Sequence, residues 1–79
     1  MTRQDRKFAK EVIDDAAQVM GLRRFQFMRR VNNGDIECTE ELAAAVAVKE
    51  FDKDRFQEIL NMILEFIKTF MAMIAPFFA

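Results

Sequence analysis

The chain has 79 residues, 52% of them hydrophobic, with one cysteine and no histidine; it makes one domain at most, 1–79, whose single small core is marginal without outside support. A lone Cys38 excludes an intrachain disulfide and, without histidine, a Cys/His zinc site, so oligomerisation or docking on a partner is the support that remains. The net charge of −1 conceals a division: residues 1–34 carry eight Lys/Arg and four Asp/Glu, residues 35–79 four and nine. Such polarity attracts copies of the chain to one another or presents a basic end to an anionic partner, unless the halves neutralise each other within the fold.

The first element is a helix over about 2–20. Phe8, Val12, Ala16, Val19 and Met20 recur at spacings of three and four, opposite Lys7, Lys10, Glu11, Asp14, Asp15 and Gln18. Gly21 then stops or kinks it. This charged opening lacks the pattern of a secretory signal, and with a single thiol the expected location is a reducing one, cytoplasmic or within an assembled particle.

The second element, 22–33, has two readings. As a helix it places Leu22, Phe25 and Met28 on one side. As a strand, Phe25, Phe27, Arg29 and Val31 alternate, and Asn33-Gly34 signals a hairpin towards Ile36 and Cys38. The helix is preferred, because an isolated hairpin is weak and Asn33-Gly34 serves equally well as a helix C-cap. The third element, 39–50, starts at Thr39 as N-cap, with Glu40 and Glu41 in the first turn. Its alanines, Ala43, Ala44, Ala45 and Ala47, allow close approach of another helix. Phe51 and Asp52 mark a turn, with Asp52 or Asp54 capping the last helix.

The fourth element, 53–75, is the most informative. Phe56, Leu60, Ile63, Ile67, Phe70 and Ile74 repeat at heptad spacing. Ile59, Phe66 and Met73 flank this seam on one side, Leu64 and Met71 on the other. Asp54, Glu58, Asn61, Glu65, Lys68 and Ala72 form a narrow opposite stripe. A helix apolar over more than half its circumference belongs inside a bundle of several helices. Pro76 ends it, and Phe77-Phe78-Ala79 forms an apolar tail beyond. The fold class expected is all-α, three to four helices, with this helix packing in a multi-helix bundle that extends between molecules.

Residues 59–79 are also long enough to span a bilayer. Glu65 and Lys68 each cost roughly 2.5–3.5 kcal/mol near mid-bilayer, which nearly cancels the gain from the apolar residues. A membrane is therefore the alternative to a protein bundle.

No catalytic constellation is present: there is no histidine, no partner to activate Cys38, and no phosphate-binding glycine loop. No metal or other cofactor is expected. Asp52-Lys53-Asp54 begins like a calcium loop but lacks its glycine and closing acid. Arg23, Arg24, Arg29 and Arg30 flank Phe25 and Phe27, a composition that can grip phosphates and stack on bases. The plainer expectation is that these arginines pair with the nine acids of the second half while the two aromatics fill the core. The sequence thus points to a non-enzymatic assembly protein, such as a small virion component. It would oligomerise or dock through Phe56, Leu60, Ile63, Phe66, Ile67, Phe70, Met73, Ile74, Phe77 and Phe78. Its partner is itself or a larger protein assembly, with membrane and then nucleic acid as alternatives.

Overall fold

Each helix boundary in the computed structural model, which describes residues 2–50 and 52–77, has a local chemical cause. Helix α1 (Arg3–Val19) starts at Thr2, whose hydroxyl accepts from the Asp5 N–H at 3.0 Å while the Asp5 carboxylate accepts from the Thr2 N–H at 3.1 Å. This reciprocal box satisfies two donors that the first turn would leave unpaired. The helix closes at Gly21, whose φ of +68° lets the Leu22 N–H reach back to the Ala17 carbonyl at 2.9 Å. Helix α2 (Arg24–Asn32) closes in the same way: Gly34 adopts φ +86°, and the Asp35 N–H donates to the Arg30 carbonyl at 2.9 Å. Only glycine takes this left-handed cap without penalty.

Asn33-Gly34 therefore ends a helix and makes no hairpin, and the described residues contain no strand. The third helix, α3 (Ile36–Lys49), begins three residues before the position expected for it. Its N-cap is Asp35, whose carboxylate accepts from the Cys38 N–H at 3.0 Å. Thr39 lies inside the first turn and donates its hydroxyl to the Asp35 carbonyl at 2.8 Å. The cap of α2 delivers Asp35 already extended at the next helix start, so the nearer carboxylate takes the capping role. The second element likewise begins at Arg24, because Leu22 is used to close α1. Asp52 caps a short 3₁₀ turn, Lys53–Arg55, that leads into α4 (Phe56–Ile74); a second such turn, Ala75–Phe77, comes after it. Phe51 and Phe78 lie outside the described residues.

The four helices pair as α1 along α3 and α2 along α4, and the pairs close on one core. Phe27, Ile13, Leu42, Ile63 and Ile67 are the largest side chains fully enclosed in it, and no polar or charged group is buried with them among the described residues. On α1 the buried stripe is Ala9, Val12, Ile13, Ala16 and Ala17. Phe8 and Met20 are half-buried at its edges, and Val19, expected inside, is 70% exposed. Two neighbouring helices cover α1, which widens and turns its buried arc beyond the single stripe read from spacing.

Helix α4 buries Ile59, Leu60, Ile63, Ile67 and Met71. Three members of its heptad seam are thus spent inside this chain's own core, and the polar stripe from Asp54 to Ala72 is exposed as expected. A carboxylate in place of Ile63 would be buried without a partner. Ile63→Asp should therefore abolish the cooperative unfolding transition followed by far-UV circular dichroism. Phe27→Ala, which empties the largest enclosed position, should lower stability by about 3–5 kcal/mol in denaturant titration.

Candidate functional site

Of the residues expected to form an interface, Leu60, Ile63 and Ile67 are buried, Phe56, Phe66, Phe70 and Ile74 are half-buried, and Met73 and Phe77 stand 69% and 84% exposed. The structure turns the middle of the seam inward, buries Ile59 of one flank with it, and leaves Phe66 and Met73 of that flank, with Phe70 of the seam, partly or largely outside. At 100° per residue, Met62, Phe66, Phe70 and Met73 fall within an arc of roughly 80° along α4, and Phe77 follows in the 3₁₀ turn after it. Phe66 and Phe70 sit one turn apart with ring centroids 6.4 Å from each other and planes 18° from parallel. This ridge grows more exposed towards the end of the helix. From Phe66 to Phe77 the only charged residue is Lys68.

Beside that end, Phe25, Arg29, Asn32 and Asn33 of the α2 segment and Met71, Ile74 and Ala75 of the α4 segment line a groove of about 240 Å³. Its floor is apolar and one rim carries a guanidinium. A second hollow on α2, of about 270 Å³, is lined by Leu22, Gln26, Arg29, Arg30 and Asn33. Of the four arginines, Arg23, Arg29 and Arg30 are exposed and make no ion pair among the described residues. Arg24 is clamped to Asp14 by two charge-assisted hydrogen bonds of 2.6 and 2.7 Å. The two aromatics separate: Phe27 is fully enclosed and cannot stack on a base, while Phe25 is half-buried at the groove.

The pairing of these arginines with acids of the second half does not occur among the described residues. The three ion pairs there are Arg24–Asp14, Lys49–Glu11 at 3.6 Å and Lys49–Asp15 at 3.0 Å. All use acids of α1, so the carboxylates of the basic half are consumed and those of the acidic half are not. The reason is geometric: α1 packs against both α2 and α3, and its outer carboxylates meet whichever base each neighbour offers first.

The Arg24 guanidinium holds the Asp14 carboxyl below its ordinary value of 3.8 and is itself held above its own. Burial pushes the Cys38 thiol up, and the nearby Asp35 charge adds to this; the side chain is fully enclosed beneath α3. A thiol raised in pKa and enclosed is a poor nucleophile. No group of three His, Cys, Asp or Glu side chains is close enough to hold a metal ion among the described residues. Two exposed apolar residues that helical spacing did not single out are Ile36 and Val48 on α3. At 100° per residue Val48 lies on the side away from Leu42 and Val46 and Ile36 at the edge of that side, a pattern hidden by the alanine run between them.

The chain matches no protein-family model, no curated protein and no solved structure.

Cys38 should resist modification by an aromatic disulfide reagent at neutral pH and react stoichiometrically once denaturant is added. Asp14, whose pKa is lowered on folding, adds stability that is complete above about pH 4 and disappears as pH falls through its lower folded value. Both partners are half-exposed, so the effect is under about 1 kcal/mol. Asp14→Asn should destabilise by that amount at pH 7, and the gap to wild type should close as the pH falls through the lowered folded value of the carboxyl.

Proposed function

We propose that this chain is a non-enzymatic assembly protein that oligomerises or docks on a partner protein through the outer flank of its C-terminal helix. The observation that carries the reading is the Met62–Phe77 ridge, which the other three helices leave partly uncovered. Burying Met73 and Phe77 fully would contribute roughly 1.5–3 kcal/mol each, a share of the favourable energy that has to outweigh the entropy cost of association. The half-buried Phe66 and Phe70 form a base on which an incoming side chain can pack. Because Ile63 and Ile67 are structural, substitutions there would report on folding and not on association.

A second reading has one specific observation behind it. Lys53–Phe77 is long and apolar enough to cross a membrane, and only 28% of its most apolar stretch is buried within the chain. On that reading residues 59–79 meet lipid in place of protein, with Glu65 and Lys68 close enough along the helix to pair.

Met73→Asp combined with Phe77→Asp separates these readings from a plain monomer. The double variant should keep the wild-type circular dichroism and lose the higher mass that light scattering records for the wild type in detergent-free buffer. Wild-type protein recovered only in the membrane fraction would favour the second reading, and a monomeric wild type that retains no partner protein would sink the first.

A further inference from the structure

We propose that a second copy of this chain sets the acidic outer face of its α3 against the cationic outer face of α2 on the first copy. This contact is separate from the α4 ridge and goes beyond it. Charges along α2 and α3 are segregated up to the last residue of α3: no acid occurs from residue 16 to residue 34 and no base from residue 35 to residue 48, and Lys49 is paired with Glu11 and Asp15 of α1. On α2 the exposed positions Arg23, Gln26, Arg29 and Arg30 offer only hydrogen-bond donors and amides. On α3 the exposed positions Glu37 and Glu40 are joined by Ala44, Ala47 and Val48 on the same side.

Neither face finds its complement inside the molecule. The three close ion pairs all fall on α1, so Arg23, Arg29, Arg30, Glu37 and Glu40 have no ion-pair partner among the described residues. The buried sides of α2 and α3 both join the one core, which leaves the two charged sides exposed. A second copy supplies the missing contact, its acidic α3 side set against the cationic α2 side of the first. Ile36, 71% exposed at the start of α3, lies between the two faces along the chain and gives the seam an apolar centre. A nucleic acid could meet the α2 face through the same phosphate-binding chemistry, but it would leave the acidic face unpaired and face a chain of net charge −1.

The experiment is a charge swap on the full chain, read by light scattering and sedimentation at low and high salt, with circular dichroism as the folding control. Arg29→Glu with Arg30→Glu should weaken self-association roughly tenfold or more, as should Glu37→Lys with Glu40→Lys. An equimolar mixture of the two variants should restore it, because each then offers the face that the other needs. The milder Arg29→Gln with Arg30→Gln keeps the test open if the reversed pair at the end of α2 does not fold. Association of the wild type should also weaken with salt. The proposal is overturned if the wild type is monomeric, or if its mass ignores both salt and reversal. Failure of the mixture to recover association overturns it too, as does a wild-type α2 face that binds duplex nucleic acid or anionic vesicles in preference to a second copy. An oligomer lost on Met73→Asp with Phe77→Asp yet indifferent to the charge swap would overturn this contact alone and leave the α4 reading standing.

Discussion

Burial of one side of α4 against α2 and α3 is the contact on which everything else rests. Ile63 and Ile67 lie in the same cluster as Phe27 from α2, Leu42 and Val46 from α3, and Ile13 from α1. Without that contact α2 is nine residues long, too short to persist in water alone, and the basic helix would have no fixed position. With it, a chain of 79 residues reaches a radius of gyration of 12.0 Å, close to the ~12 Å expected for a folded chain of this length. Among the described residues the core contains no buried polar group to specify register, so the arrangement depends on shape and on helix ends.

Those ends are well defined for so small a molecule. Two glycines at positive φ close α1 and α2, and an aspartate carboxylate opens α3 one residue after the second of them. The chain therefore turns at 20–23 and 33–35, and α2 contacts α1, α3 and α4. The same turns leave the side of α2 that bears Arg29 and Arg30 away from the core. Local backbone chemistry at two glycines thus settles where the charge of the molecule is displayed.

The surface is what the core leaves over. The outer carboxylates of α1 are neutralised by Arg24 and Lys49, the bases its neighbours happen to bring. The remaining charges stay sorted along the chain, cationic on α2 and acidic on α3. The apolar excess is likewise concentrated, because α4 carries more apolar surface than three short helices can cover, and the surplus appears as Met73 and Phe77 at its far end. An association surface needs both features: apolar area for affinity and charge for orientation.

Much of this is legible in the residues themselves. The four helices, the stops at Gly21 and Gly34, the exposed stripe from Asp54 to Ala72 and the lack of a partner for Cys38 all come from short-range chemistry, since capping and amphipathic spacing act within one or two turns. Spacing misplaces the N-cap of α3 at Thr39 because Thr39 and Asp35 are both good caps, and only the backbone delivered by the preceding turn chooses between them. The site is less legible. Periodicity identifies that α4 has apolar sides, but a helix apolar over more than half its surface does not say which side meets the core. Packing against α2 and α3 selects the Ile63–Ile67 side and leaves the Phe66–Met73 flank outside. Which arginine meets which acid is equally beyond the residue order, because ion pairing depends on distances between helices and not on spacing along them. The helices and the segregation of charge are thus properties of the residue order alone. Which apolar face is spent on folding and which is left for a partner is a matter of packing, because those two faces differ in neighbours and not in chemistry.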